Sequence, residues 1–185
     1  MTTTPDAQFF VQNPSLVVRR AVEIMIEAHE GQVRHYTHEP FVSHPIAVAQ
    51  TVATFNRDPL VLAAALLHDV IEDTPVTATD LGRKMPSSVV RMVLSLTNQA
   101  SHADGERATR KHIDHDHVVR AEPRAQTIKY ADVLHNVQSI ARHDPSFAAP
   151  YLQEKASLIR RLNRGHPALR RHVWNCIDTL IAELD

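Results

Sequence analysis

Glycine is scarce in this chain and cysteine nearly absent, with four glycines and one cysteine among 185 residues. Four glycines, with few alternating apolar and polar runs, argue against sheets and leave no glycine-rich phosphate loop of the strand-turn-helix kind. Cys176 stands alone in an apolar helical pattern, which excludes a disulfide framework and a thiolate zinc site and fits a reducing compartment. No stretch approaches the roughly 20 consecutive apolar residues of a membrane span. Neither sign of charge prevails: 20 Lys and Arg stand against 21 Asp and Glu, so no global field draws the chain to nucleic acid or to a lipid surface. Any anionic ligand must then be held by local charge. The Met-Thr-Thr-Thr-Pro start has neither the basic flank nor the apolar core of a secretory signal. The expectation is a soluble, cytoplasmic protein without nucleic-acid or membrane partners. Residues 1–185 are read as one domain, with 1–14 a poorly ordered N-terminal segment.

Hydrophobic residues make up 43% of the chain, enough for a substantial core, and most recur with a period near 3.6. The pattern predicts an all-α fold, a bundle of about eight to ten helices. Asn13-Pro14-Ser15 caps a first helix whose buried stripe is Val17, Val18, Ala21, Ile24 and Met25, and Gly31 ends it. Residues 32–43 form a polar, proline-broken loop with room for a short extended part, and loops of that length in a compact domain are usually functional. His44-Pro45 opens a helix to about Asn56, and Asp58-Pro59 starts another that runs through to Thr74-Pro75. Shorter helices follow at 79–85 and 87–97. Residues 106–119 are helix-compatible but highly charged. Longer helices are expected at 124–141, 146–163 and 167–183, the last two separated by Gly165-His166-Pro167.

Thirteen histidines are many for this length, and one stretch concentrates polar groups where the pattern demands burial: Leu66-Leu67-His68-Asp69-Val70-Ile71-Glu72-Asp73-Thr74. On a continuous helix His68 stacks over Glu72, and Asp69 over both Glu72 and Asp73. A buried charge that is neither paired nor metal-bound costs several kcal/mol, and a divalent cation removes the difficulty. His44 at one helix start, His68 and Asp69 in the next helix, and Asp132 in a third supply two nitrogen and two carboxylate donors. That set, lacking thiolate, leaves open positions and suits Mn²⁺, Fe²⁺ or Zn²⁺ more than a soft metal. Such an ion acidifies water and withdraws charge from a phosphoryl oxygen, so phosphate-ester or pyrophosphate hydrolysis is the natural reaction. Glu72 and Asp73, one turn beyond the ligands, are placed to orient the water and pass a proton to the leaving oxygen. In the helix over 124–141, Asp132, Asn136 and Ser139 form a polar stripe that suggests a lined pocket.

Four segments also carry a family likeness: Gly31-Gln32-Val33-Arg34 with Glu39-Pro40-Phe41-Val42-Ser43-His44-Pro45, then Ala65 to Thr74, Leu96-Thr97, and Lys129-Tyr130-Ala131-Asp132-Val133-Leu134-His135-Asn136. In their order and types they resemble the HD-domain metal-dependent phosphohydrolases, and more narrowly the alarmone hydrolase domain of the RelA/SpoT-homologue proteins in its small, single-domain form. The resemblance implies a metal held by His44, His68, Asp69 and Asp132, with Glu72 and Asp73 serving the attacking water. It implies a purine nucleotide with a 3′-diphosphate as substrate, ppGpp or pppGpp, cleaved to pyrophosphate and GDP or GTP. It places Arg34 and the neighbouring His35 at the ligand, Asn136 and Ser139 along the ribose and phosphate pocket, and Tyr151 within reach of the nucleoside. Because the chain ends after the hydrolase helices, the expected activity is degradation alone.

The chain departs from the family pattern at His35 and His38 in the loop, at Val133 where an arginine is usual, and around Ala100, where a basic residue often follows Leu-Thr. All four fall near the substrate and none touches the metal set. An adenosine analogue (ppApp), the 2′-phosphate of NADPH or a 5′-nucleotide therefore stand as alternative substrates, and a nucleotide sensor without turnover as the alternative function. The tract His112-Ile113-Asp114-His115-Asp116-His117 permits two histidines on one helical face, but no second donor segment supports a metal there, and it reads as an exposed charged face.

Overall fold

The structure is a computed structural model that describes residues 5–184. Helices α1 (Pro5–Val11), α2 (Leu16–Ala28), α3 (Ser43–Phe55), α4 (Pro59–Leu66), α5 (Val70–Asp73), α6 (Ala78–Lys84) and α7 (Ser87–Leu96) form the first half. A 3₁₀ turn at His102–Asp104 leads to α8 (Arg107–Val119), α9 (Pro123–His143), α10 (Pro145–Arg161) and α11 (Pro167–Ala182). The fold is all-α. Among the described residues the extended structure amounts to one isolated antiparallel bridge, Val33 to Pro40, which closes the loop between α2 and α3.

Helix α4 is the axis of the packing because it has no polar face: Val61 through Leu66 are all buried. It lies against α2, α3, α7 and α9, and α9 in turn carries α10 and α11. Asp58 starts α4 by accepting the Leu60 amide at 2.9 Å, with Pro59 in the first turn. Thr77 and Asp80 close a reciprocal capping box on α6. At the α10–α11 corner a Cβ on Gly165 would stand 2.5 Å from Tyr130 Cε2 and 2.9 Å from the Thr127 amide nitrogen, so only glycine fits. That closeness lets the buried Tyr130 hydroxyl donate to the Leu162 carbonyl at 2.8 Å.

Two expectations are corrected. Of the N-terminal segment expected to lack order, residues 1–4 lie outside the described residues, but α1 occupies 5–11 and buries Phe10 completely in the core. Phe10 is the buried anchor of α1 among the residues whose side chains are described. The helix expected from Asp58-Pro59 through Thr74 is interrupted after Leu66. The His68 ring takes the Ala65 carbonyl at 2.7 Å, the acceptor that the Asp69 amide would use in a continuous helix. Leu67 and Asp69 relax to φ −104° and −97°, a tighter bond joins the Val70 amide to Leu67 at 3.0 Å, and helix resumes with Asp73 on Asp69.

Candidate metal centre

That interruption builds the centre. Consecutive residues of a regular helix point about 100° apart, yet after the break the His68 Nε2 and the Asp69 Oδ1 stand 3.2 Å from each other. His44 enters from the first turn of α3, its Nε2 lying 3.4 Å from Asp69 Oδ2 and 3.3 Å from Asp132 Oδ1. Asp132 reaches in from α9, where it is buried, and its Oδ1 is also 3.8 Å from His68 Nε2. Donor atoms of His44, His68 and Asp69 lie within 4.8 Å of one another, the spacing of ligands around one ion. All four residues chosen from the sequence are thus brought together.

The hydrogen bonds fix which nitrogens are free. A carbonyl only accepts, so His68 Nδ1 donates to Ala65 and Nε2 is the nitrogen left turned to the carboxylates. That Nε2 is buried and has no hydrogen-bond partner among the described residues. A buried, partnerless nitrogen flanked by two carboxylates fits a cation. His44 Nδ1 meets His135 Nδ1 at 2.8 Å, and donation from His44 leaves its Nε2 free on the side of the carboxylates. Burial holds the His44 imidazole down to about 3, which keeps it neutral as a ligand must be. Burial acts the same way on His68, but Asp69 and Asp132 outweigh it and hold that ring up at about 9, so near neutral pH its Nε2 carries a proton that a metal ion would displace. Burial raises Asp69 to about 7.

The surroundings correct the stacking expected on a continuous helix. Glu72 does not lie over His68. It is exposed and turned to the chain after α7, where its two oxygens accept from the Asn98 amide at 3.0 Å and the Asn98 side chain at 2.5 Å. Asp73 ends α5, and its carboxyl is raised by burial and by the charge of Glu72. Gln32 ties the loop to this end of α5 by donating to the Asp73 carbonyl at 2.9 Å, and the buried His29 ring holds Gln32 at 2.7 Å. Arg34 crosses to α9 and donates to Asn136 Oδ1 at 3.1 Å, while Asn136 donates to Asp132 Oδ1 at 2.6 Å. Tyr151 is half-buried on α10, with the Lys155 ammonium 4.8 Å from its ring centre, and its hydroxyl is raised by burial and by Asp132.

Ser139 is half-buried on α9, and its carbonyl receives His143. His35 is exposed and packs edge-on against Tyr36, 4.7 Å between ring centres. Sequence reasoning passed over Lys129, whose Nζ lies 2.8 Å from Asp132 Oδ2, although three residues on a helix put them on one face. It also passed over Asn98. The His112–His117 tract is only partly the exposed face expected: Asp114 is buried and receives the Gln99 and Ala100 amides.

The family model for the HD domain matches residues 21–159, a span that begins within α2, ends within α10 and includes every donor of the centre. The chain belongs to the HD-domain family. Curated relatives of this HD domain include a probable GTP pyrophosphokinase of Mycobacterium leprae strain TN, 32% identical over 160 residues, which is 84% of this chain and 20% of that protein. The bifunctional (p)ppGpp synthase/hydrolase SpoT of Escherichia coli K12 is 33% identical over 156 residues, 80% of this chain and 22% of that protein. The chain therefore spans about a fifth of the length of these relatives. A solved structure described as "A metazoan ortholog of SpoT hydrolyzes ppGpp and plays a role in starvation responses" has the same fold, with TM-score 0.80 over 93% of this chain and 97% of that one at 23% identity. Among the described residues, no helix of this HD domain is long and apolar enough to cross a membrane.

Proposed function

We propose that this chain is a divalent-metal-dependent phosphohydrolase that removes the 3′-diphosphate of ppGpp or pppGpp, releasing pyrophosphate and leaving GDP or GTP. The observation that carries the reading is the buried, partnerless Nε2 of His68 set among His44, Asp69 and Asp132. Names of the relatives support the substrate: a guanosine-3′,5′-bis(diphosphate) 3′-pyrophosphohydrolase of Escherichia coli O157:H7 is 33% identical over 156 residues, 80% of this chain and 22% of that protein.

His44, His68, Asp69 and Asp132 would hold the ion, with Mn²⁺ favoured by the mixed nitrogen and carboxylate set and Fe²⁺ or Zn²⁺ compatible with it. When bound, the ion lowers the pKa of water and draws charge from a phosphoryl oxygen. Glu72, fixed by two bonds from Asn98, accepts the proton of the attacking water. The water oxygen bonds to the phosphorus next to the 3′-oxygen and the P–O3′ bond breaks. Asp73, whose raised pKa lets it carry a proton closer to neutral pH, gives that proton to the departing 3′-oxygen. Arg34 spends one donor on Asn136 and keeps the others of its fork for phosphate oxygens. Tyr151, Asn136 and Ser139 line the nucleoside side, and His35 stands at its rim.

The test is a panel of ppGpp, ppApp, NADPH and a 5′-nucleotide offered to purified protein with Mn²⁺, with every product identified. Pyrophosphate and GDP from ppGpp are expected. Failure to release pyrophosphate from any 3′-diphosphate nucleotide would overturn the proposal, and tight binding without product would favour a sensor.

A further inference from the structure

We propose that a recess beside the metal centre seats one tetrahedral phosphoryl group, the terminal group of the departing diphosphate; this deepens the reading given under Proposed function and rests on it. The recess measures about 60 Å³, and Asn98, Lys111, Asp114, His115, Lys129 and Lys155 give it its polar lining. That is several times the roughly 10 to 15 Å³ a single water needs and far too little for a nucleoside. Its three ammonium groups come from three helices, α8, α9 and α10.

Each lysine leans on a carboxylate: Lys111 on Asp114 at 3.7 Å, Lys129 on Asp132 at 2.8 Å and Lys155 on Glu154 at 2.8 Å. Of those carboxylates only Asp114 lines the recess, and one of its oxygens already accepts the Gln99 and Ala100 amides. An ammonium has three N–H donors, so all three lysines keep donors to spare. His115 adds a fourth group, since its Nε2 is buried with no partner among the described residues. Burial, with Lys155 and Lys111 beside it, holds that ring down to about 4, so it adds no further cation, and the neutral tautomer protonated at Nε2 would offer an N–H to the recess. Three lysines and an idle imidazole around a void of this size match a tetrahedral oxyanion in donor count, each ammonium keeping N–H groups beyond the carboxylate it pairs with.

The recess is wired to the chemistry. Asn98, in its wall, donates both to Glu72, and Lys129, also in its wall, holds Asp132. A phosphoryl group seated there would be one side chain from Glu72, through Asn98, and one from Asp132, through Lys129.

Inorganic pyrophosphate and orthophosphate, each titrated calorimetrically into metal-loaded protein, read the seat without any turnover. Both are expected to bind, pyrophosphate more tightly if its second phosphoryl group reaches the centre, and equal affinities would identify free phosphate as the occupant. Lys155→Met and His115→Gln should each weaken binding at least tenfold, with metal affinity within twofold of the parent and a cooperative melt retained. Lys84→Met, an exposed lysine elsewhere, should change nothing. If either core variant fails to fold, Lys111→Met takes its place. No binding by the parent protein, or affinities unchanged in the variants, overturns the inference. Pyrophosphate release from ppGpp, assayed on the same preparation, separates the two claims: turnover without variant-sensitive anion binding leaves the function standing and removes the seat.

Discussion

Replacing His135 with leucine should loosen the metal by one to two orders of magnitude although His135 is not one of the four donors. His44 Nδ1 lies 2.8 Å from His135 Nδ1, and the two rings are tilted with centres 4.8 Å apart. In His135→Leu the buried Nδ1–H of His44 loses its acceptor, a loss that costs about 1 to 3 kcal/mol. The ring can escape by moving its proton to Nε2, but Nε2 is the atom 3.3 and 3.4 Å from Asp132 and Asp69, and protonating it removes a ligand. Either outcome is paid in metal affinity, and at about 1.4 kcal/mol per factor of ten the expected change in Kd is about 10- to 100-fold, the range typical of partners behind a ligand. Competition with a chromophoric chelator measures it. His135→Gln, whose amide oxygen can accept, should recover most of the loss. A His135→Leu protein that folds and binds metal within threefold of the parent would refute the reasoning.

Glu72→Gln should lower kcat by about 10²- to 10⁴-fold with metal affinity unchanged, because Glu72 faces Asn98 and is not a donor to the centre; a matching loss of metal would count against its assigned role. Gly165→Ala should destabilise the fold by about 1 to 3 kcal/mol, as overpacking does, since the new Cβ would meet Tyr130 Cε2 at 2.5 Å; a melting temperature equal to the parent's would contradict that packing. Stability should rise with pH between about 4 and 6.5, because the unfolded chain binds a proton at His115 that the folded chain refuses. The slope is at most about 1.4 kcal/mol per pH unit for one proton and about half that at this half-exposed ring. His115→Gln should remove this part of the slope in denaturant titrations, and an unchanged slope would show that the ring titrates freely.

The helices were legible because periodicity and caps agree: Asp58-Pro59 starts α4, Thr77 caps α6, and prolines stand at or beside the starts of α9, α10 and α11. The four donors were legible because residue type alone makes buried imidazoles and carboxylates costly without a cation. How His68 and Asp69 come to face one point was not legible. It depends on a ring taking a carbonyl from its own helix, which sequence periodicity presents as continuous helix. Glu72 was placed on the wrong neighbours for a related reason, since its partner Asn98 lies 26 residues away. The lysine-lined recess needs side chains from α8, α9 and α10, and no spacing along the chain announces it. His115 and Asp114, read within a charged tract, turn inward because the other side of α8 is the more polar one, with His112 and Asp116 paired at 3.6 Å.

The most direct test of the account is anomalous X-ray scattering at the manganese edge from crystals grown with Mn²⁺. The account predicts one strong peak within about 2.0 to 2.3 Å of His44 Nε2, His68 Nε2 and a carboxylate oxygen each of Asp69 and Asp132, distances typical of such ligands. A peak elsewhere, or none between those four side chains, would contradict it.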